Sequence, residues 1–197
     1  MDSLLPFFDP IRGVTMPALI IKIFLAVFFG GLIGLERGHK HRAAGSRTYM
    51  IVCLGAALTM ILSHYETYIM RNLWEEIAKM LDKQVDVSRY SAKVISGIGF
   101  LGAGTIIVTG RQEIKGLTTA AGLWASACMG LAIGSGYYEC AILGFLLILL
   151  TTIVFEKISS WVISNARNMD LYVEFEKIEN LGEIINTFKE MNIQIFD

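Results

Sequence analysis

Two long stretches of this sequence carry no charged side chain, and they restrict the folds that the chain can adopt. One runs from Gly116 to Tyr138 and the other from Cys140 to Phe155. Hydrophobic residues make up 54% of the 197 residues and charged residues only 18%, so the charges are concentrated between apolar stretches. Because a soluble domain of this size cannot bury such stretches in one small core, the pattern predicts an integral membrane protein.

Five apolar segments have about the length that a membrane-spanning helix needs, roughly 17 to 25 residues. They extend from about Thr15 to Leu35, Thr48 to Tyr65, Ala92 to Val108, Gly116 to Ile133 and Tyr138 to Phe155. The expected fold class is therefore an all-α polytopic membrane domain of about five transmembrane helices, covering residues 1–165. The lipid bilayer is the first expected partner of this domain.

The distribution of basic residues predicts the orientation of these segments. Four of them, Arg37, Lys40, Arg42 and Arg47, follow the first segment, whereas the N-terminal tail has only Arg12. Because cytoplasmic loops are enriched in lysine and arginine, we expect the N-terminus outside the cell and the C-terminus in the cytoplasm. Lys22, inside the first segment, is expected to extend its side chain toward the nearer membrane interface.

Two segments outside the spans have periodicities of their own. Apolar residues from Ile69 to Leu81 recur at helical spacing, which predicts an amphipathic helix on the outer membrane surface. In residues 166–197, LYVEF alternates as a strand does, the stretch from Asn180 to Asn192 is amphipathic, and IQIF predicts a second strand. The cytoplasmic tail is therefore expected to be a short strand–helix–strand segment of α+β type.

Small side chains recur along the predicted membrane helices. The positions assigned to helix packing are Gly30, Gly34, Gly122, Trp124, Ser126, Gly130 and Gly134. The motif SGIGFLGAG forms a glycine-rich helix with Ser96, Gly97, Gly99, Gly102 and Gly104. Since close packing in lipid relies on small residues, these faces predict tight helix contacts. For SGIGFLGAG, a glycine-lined path where backbone carbonyls meet a ligand is the alternative.

Polar residues at the ends of the segments form the candidate functional cluster. Its members are Glu36, Arg37, Arg47, Thr48, Asp86, Arg89, Thr118 and Thr119. Ionisable groups at this depth are costly unless they are paired or hydrated, and we expect Glu36 to pair with Arg47. For Arg37, Lys40 and Arg42, a role in topology and in lipid headgroup contact is the favoured interpretation. If Mg²⁺ binds, Glu36 or Asp86 is the expected ligand, although a single carboxylate makes a poor site.

The sequence favours neither an enzyme nor a nucleic-acid binder. The net charge of −1 provides no basic footprint for nucleic acid. No nucleophile elbow, phosphate-cradling loop or metalloprotease helix is present, and GIGFLGAG lies inside an apolar segment. We therefore expect a non-enzymatic protein that needs no cofactor, with Mg²⁺ as the one candidate ligand.

Four stretches of the sequence together resemble the MgtC/SapB membrane protein family. They are GGLIGLERG, AAGSRTYMIVCLGAAL, SRYSAKVISGIGFLGAGTIIV and IKGLTTAAGLWASACMGLAIGSGYY. Positions that match the family pattern are Glu36, Arg37, Gly45, Arg47, Thr48, Asp86, Arg89, Ser96, Gly97, Gly99, Phe100, Gly102, Gly104, Gly116, Thr118, Thr119 and Trp124. Ser46 departs from the pattern, because a leucine is common there in the family.

The resemblance implies five membrane helices in a bacterial inner membrane and, in many members, a cytoplasmic ACT-like domain. The strand–helix–strand tail matches the first half of such a domain. The resemblance also implies links to magnesium limitation, to virulence and to inhibition of the membrane ATP synthase. The expected function is regulation through helix contacts with a membrane complex such as the ATP synthase, by a chain that also self-associates. A magnesium or other cation transporter or channel is the alternative.

Overall fold

The computed structural model describes residues 8–40, 42–74, 76, 86–109 and 113–165, together with residues 174, 182, 185–188 and 191 of the tail. The chain divides into two units, Met1–Ile158 and Ser159–Asp197. The helices are α1 (Asp9–Arg12), α2 (Met16–His39), α3 (Ser46–Asn72), α4 (Ser88–Ala103), α5 (Leu117–Ser135), α6 (Tyr138–Leu150) and α7 (Glu156–Ser164). A π-helical turn, Thr151–Phe155, joins α6 to α7, and a hairpin of β1 (Ile107–Val108) and β2 (Ile114–Lys115) joins α4 to α5.

Four helices of the described chain are long and apolar enough to cross a membrane. They are α2, α3, α5 and the continuous helix Tyr138–Ser164. This confirms an all-α membrane domain. The predicted bounds of the third segment were wrong, because α4 has 16 residues and runs from Ser88 to Ala103 instead of from Ala92 to Val108. At 1.5 Å per residue α4 is about 24 Å long, shorter than the roughly 30 Å of a hydrocarbon core.

The early end of α4 has a local cause in the residues that follow it. The hydroxyl of Thr105 donates to the carbonyl of Gly102 at 2.8 Å, which takes up an acceptor at the helix end. The next residues, Ile106 to Val108, are β-branched and favour a strand. Gly116 then closes the hairpin with a φ of +95°, and a Cβ there would lie 1.9 Å from the carbonyl oxygen of Thr105. Only glycine tolerates both the left-handed backbone and this contact.

The long helices of the first unit alternate in direction along the chain, and α3 lies between α2 and α5. Gly34 of α2 lies against Ser46 at the start of α3, so α2 and α3 are antiparallel. Helix α5 runs parallel to α3, because Gly130 faces Cys53 and Gly134 faces Ala57. Helix α4 runs antiparallel to α5 and contacts it where Gly102 meets Ala120.

Helix α6 runs parallel to α2 and packs against its middle. The rings of Phe29 and Phe145 lie 4.7 Å apart in the middle of this contact. At the start of α6, the hydroxyl of Tyr138 donates to the carbonyl of Ile11 at 2.7 Å. The polar ends of the helices are therefore collected at two ends of the unit. We call the one that contains the C-terminus of α2 the basic end.

Large apolar side chains cover the outside of these helices. Phe24 is 69% exposed on α2, Ile51 is 68% exposed on α3 and Leu143 is 60% exposed on α6. An outer surface of this kind suits the hydrocarbon core of a bilayer and would be unfavourable in water. The orientation of the termini relative to the cell stays a prediction.

Two predicted segments lie wholly or partly outside the described residues. Of the outer amphipathic helix, Ile69 to Asn72 form the last turn of α3, which continues beyond the predicted end at Tyr65. The remainder of that segment, apart from residues 73, 74 and 76, is outside the described residues. The two tail strands are also outside them, while residues 185–188 are helical, within the predicted amphipathic stretch.

The start of α4 gives a testable effect of pH. Asp86 accepts hydrogen bonds from the hydroxyl and the backbone N–H of Ser88, which hold the pKa of its carboxyl below the ordinary value. A carboxylate with a lowered pKa stabilises the folded state above its unfolded pKa and loses this effect as the pH falls through the folded pKa. Asp86→Ala should therefore accelerate amide hydrogen exchange in the first turn of α4 at pH 7, and much less near pH 3. Asp86→Asn, which keeps an acceptor, is the control. Equal acceleration at both pH values would contradict the capping role.

Candidate functional site

Five ionisable side chains form an ion cluster at the basic end. Its members are Glu36, Arg37, Lys40, Arg42 and Glu156. The guanidinium of Arg37 donates to both carboxylate oxygens of Glu36, from Nε at 2.5 Å and from Nη2 at 3.2 Å. Lys40 lies between the two carboxylates, 2.8 Å from Glu36 Oε1 and in contact with Glu156. Arg42 Nη2 completes the cluster at 2.8 Å from Glu156 Oε1.

The ion cluster extends from the interior of the unit to its surface. Arg37 is 1% exposed, whereas the side chain of Arg42 is 43% exposed. Three cations face two carboxylates, so the cluster carries one excess positive charge. A buried ion pair contributes little net stability, because desolvation offsets the attraction, but removing one partner is strongly destabilising. Losing one member of the cluster is therefore expected to cost more stability than the intact cluster contributes.

The hydrogen bonds of Lys40 keep it charged. Its contacts with Glu156 and then Glu36 raise the pKa of the Lys40 ammonium above its ordinary value. A group whose pKa is raised on folding contributes stability below its unfolded pKa and loses it only as the pH rises through the folded pKa. The cluster is therefore intact at neutral pH.

The ion cluster also binds the backbone of the last membrane helix. The carbonyl oxygen of Thr152 accepts from Lys40 Nζ at 3.1 Å and from Arg37 Nη2 at 3.4 Å. Thr152 lies in the π-helical turn between α6 and α7. Turns of this kind are frequent at functional sites.

Two buried donors near the cluster have no protein partner among the described residues. They are Nη1 of Arg37 and the hydroxyl of Tyr49, a residue that is fully buried on α3. The Tyr49 hydroxyl oxygen lies only 2.4 Å from the position that a Cβ on Gly122 of α5 would occupy. Glycine at this position thus admits the tyrosine ring between α3 and α5.

The structure divides the predicted polar cluster into separate parts. Glu36 and Arg37 belong to the ion cluster, and Thr119 is buried on α5. The exposed residues Arg47, Thr48 and Thr118 lie at the basic end without joining it. The predicted Glu36–Arg47 pair is wrong, because Arg37 and Lys40 occupy the carboxylate. Asp86 and Arg89 are exposed at the start of α4, at the opposite end of the unit.

Sequence reasoning missed the other partners in the ion cluster. The sequence assigns Lys40 and Arg42 to topology and lipid headgroup contact, and it does not single out Glu156 or Thr152. The available signal was Glu156 itself, the first charge after the apolar run that ends at Phe155. The sequence does not reveal that Glu156 contacts Lys40, since more than 110 residues separate the two along the chain.

A second group of polar contacts lies at the opposite end of the unit. Lys22 is buried, and its ammonium donates to the carbonyls of Arg12 at 3.0 Å and of Gly13 at 3.2 Å. The side chain thus extends toward the start of α2, and its contact with the membrane interface stays a prediction. Arg12 in turn forms an ion pair with Glu139 at the start of α6.

The described residues hold no group of three or more histidine, cysteine, aspartate or glutamate side chains that would suit a metal ion. The carboxylate of Glu36 is bound by two cations and that of Asp86 by Ser88. Mg²⁺ binding at either residue stays a prediction.

The small-residue faces divide into an inner and an outer set. The inner set consists of the five predicted packing glycines, at each of which an added Cβ would lie within 3 Å of an atom of α3; they are Gly30, Gly34, Gly122, Gly130 and Gly134. Ser126 is fully buried on the same stripe, while Trp124 is 47% exposed and does not share the contact.

On α4 the arrangement is different. Gly102 is buried, but Ser96, Gly97, Gly99 and Gly104 are exposed. A Cβ on Gly97 or Gly99 would meet no described atom within 4 Å. We call the surface formed by Ser96, Gly97, Gly99 and Phe100 the outer face of α4.

Comparison with known proteins identifies the family of this chain. The model of the MgtC family matches residues 23–161, which include α3, α4, α5 and the whole ion cluster. The chain belongs to the MgtC family. Its family membership agrees with the resemblance in the four motifs and with the apolar helices, and this MgtC-family chain is accordingly a membrane protein.

Several relatives of this MgtC-family chain cover most of its length. The Escherichia coli (strain K12) protein named "Putative magnesium transporter YhiD" is 35% identical over 176 residues, covering 89% of this chain and 76% of its own length. Protein SapB of Bacillus subtilis is 28% identical over 185 residues, covering 90% and 75%. Protein MgtC of Brucella abortus (strain 2308) is 40% identical over 111 residues, covering 56% and 40%. No solved structure matches the chain significantly.

Proposed function

We propose that this protein is a regulatory membrane protein that acts by helix contact with another membrane protein, and that the outer face of α4 makes this contact. The supporting observation is the exposure of Gly97 and Gly99, at which an added Cβ would meet no described atom within 4 Å. At the glycines of the inner set on α2 and α5, by contrast, atoms of α3 occupy the space that a Cβ would need.

The composition of this face favours a protein neighbour over lipid. Acyl chains adapt to any apolar side chain, whereas small residues bring a second helix close enough for backbone contact. On a helical projection Gly97 and Gly99 flank Ser96 and Phe100, and Phe100 is 81% exposed. A flat surface of small residues with one projecting ring suits a helix that packs beside the ring.

The membrane ATP synthase is our candidate partner, because the family resemblance implies inhibition of that complex. The name of the YhiD relative refers to magnesium transport. We accordingly place the regulation in the response to magnesium limitation, in a bacterial inner membrane with the C-terminus in the cytoplasm. A role in virulence and self-association of the chain belong to the same proposal.

Replacing Gly97 with leucine tests the contact directly. An added Cβ at Gly97 meets no described atom within 4 Å, so insertion and thermal stability should stay unchanged. The isobutyl group should separate α4 from its neighbour and reduce recovery of the ATP synthase with the affinity-tagged protein by about tenfold, which corresponds to a loss of about 1.4 kcal/mol. Recovery is measured by quantitative mass spectrometry after purification in lipid nanodiscs.

Gly144→Leu is the matched control, because Gly144 lies on α6 and an added Cβ there also meets no described atom within 4 Å. This variant should retain the partner. Equal recovery of the ATP synthase with Gly97→Leu and with wild type would refute the contact at α4.

Magnesium or other cation transport is the second candidate, and the name of the YhiD relative is the observation that favours it. The carboxylates available for it are Glu36 and Asp86. Purified protein in liposomes loaded with a magnesium-sensitive dye would then show Mg²⁺ flux above that of empty liposomes, reduced in Glu36→Gln or Asp86→Asn. Absence of flux above that baseline would eliminate transport.

A further inference from the structure

The hairpin of β1 and β2 has one apolar face that no described part of the protein covers. Its strands pair with Ile107 opposite Lys115 and Val108 opposite Ile114. Directly paired residues point to the same side of a sheet, and successive residues of a strand point to opposite sides. Val108 and Ile114 therefore share a face, which we call the apolar face of the hairpin. Val108 is 66% exposed and Ile114 is 56% exposed.

The opposite face of the hairpin is mostly polar. Besides Ile107 and Lys115 it carries Thr109 and Glu113, because the backbone N–H of Thr109 donates to the carbonyl of Glu113 at 3.0 Å and extends the pairing by one step. The carboxylate of Glu113 lies 3.3 Å from the ammonium of Lys115 on this face. Such alternation is typical of antiparallel strands that have an apolar environment on one side and a polar one on the other.

The position of the hairpin in the fold indicates what lies against its apolar face. It leads from the end of α4 into the start of α5, so it lies at the basic end of the unit. Leu101 in the last turn of α4 and Leu117 in the first turn of α5 are both exposed. The apolar outer surface of the membrane helices therefore continues on both sides of the hairpin. Because α4 is shorter than the hydrocarbon core, the residues after it stay close to the acyl chains.

A lipid surface suits this face better than a protein partner does. Two aliphatic side chains cover far less than the roughly 800 Å² that each partner buries in a standard protein interface. Acyl chains, in contrast, adapt to any apolar side chain. The outer edges of the two strands have backbone groups that the hydrocarbon core could not satisfy, but headgroups and water satisfy them in the interfacial region.

We propose that the hairpin lies in the membrane interface at the basic end, with Val108 and Ile114 against the acyl chains and Glu113 and Lys115 at the level of the headgroups. The partner of the apolar face is thus the lipid surface, and the hairpin anchors the connection between α4 and α5 to it. This anchor is independent of the contact proposed for the outer face of α4, because it uses none of the residues of that face.

The accessibility of single spin labels to oxygen and to a nickel chelate tests the proposal. Cysteine replaces one residue at a time, at Ile107, Val108, Ile114 or Lys115, in a full chain whose three native cysteines are changed to serine or alanine. The labelled chains are reconstituted in liposomes of phosphatidylethanolamine and phosphatidylglycerol. Oxygen concentrates among acyl chains and the chelate stays in water. The ratio of their collision rates with the label should therefore shift toward oxygen at the two positions of the apolar face and toward nickel at the two opposite positions.

A pair of charge variants tests the same face with the label kept at position 114. Val108→Asp places a carboxylate among the acyl chains, so the hairpin should move outward and the nickel collision rate of the label should rise severalfold. Ile107→Asp is the matched control, because Ile107 is the adjacent residue, is 62% exposed and lies on the opposite face. It should leave the collision rate unchanged. If Val108→Asp does not insert, Val108→Asn replaces it.

Three results would overturn the proposal. Ratios that favour nickel at all four positions would place the hairpin in water. Low collision rates with both reagents at Val108 and Ile114 would show that a protein, either a second copy of the chain or another partner, covers the apolar face. An equal response of the label to the two aspartate variants would show that the two faces of the hairpin do not differ in their environment.

Discussion

Leucine in place of Gly130 is expected to separate α3 from α5 and to cost the membrane domain most of its stability. An added Cβ would lie 2.3 Å from the carbonyl oxygen of Cys53 and 2.9 Å from the Cβ of Ala56. Backbone atoms cannot move away as the end of a flexible side chain can. The loss should be about 3 kcal/mol or more, at or above the usual range for overpacked cores. Thermal unfolding in lipid nanodiscs measures it.

Gly55→Leu is the control for this prediction. Gly55 lies on α3 two residues after Cys53, and an added Cβ there meets no described atom within 4 Å. This substitution adds the same side chain to the same pair of helices without entering their contact, so the stability should change little. If Gly130→Leu were as stable as Gly55→Leu, the parallel packing of α3 on α5 would be refuted.

The second large effect is expected from Arg37→Met. Arg37 is 1% exposed, and its removal takes away the cation that binds Oε2 of the Glu36 carboxylate inside the protein. Removing one partner of a buried ion pair costs about 3 to 5 kcal/mol. The same loss is expected here, measured as the free energy of unfolding in mixed detergent micelles with increasing denaturant.

A double variant separates the cost of the unpaired carboxylate from the loss of packing. Glu36→Gln combined with Arg37→Met removes both charges and should be more stable than Arg37→Met alone. Arg47→Met, at an exposed position, should change the stability by less than about 0.5 kcal/mol. A double variant no more stable than Arg37→Met would show that packing rather than charge accounts for the effect.

The two predictions also show which contacts a residue pattern can predict in this chain. The four-residue spacing of Gly122, Ser126, Gly130 and Gly134 predicts a packed stripe on one helix face. It cannot tell whether the neighbour is another helix of the chain or another protein. The structure decides for α3, since the carbonyls of Cys53 and Ala57 face the stripe. The outer face of α4 is a surface at which the glycines Gly97 and Gly99 meet no described helix of the chain.

The sequence by itself determined the membrane domain, its apolar helices and its family. These follow from local properties, because hydropathy, charge-free length and contiguous motifs do not depend on which helices are neighbours. The end of α4 was misplaced, because apolar character continues through Ile106 to Val108 while the backbone leaves the helix at Ala103.

Only the tertiary structure decided the membership of the ion cluster. Sequence proximity pairs Glu36 with Arg47, whereas the parallel packing of α6 on α2 brings Glu156 to Lys40 and Arg42. A charge finds its partner through distances in space, and more than 110 residues of chain separate these two. The charge-free stretches locate the membrane helices in the sequence. Which of the charges beside those stretches pair with one another depends on how the helices pack.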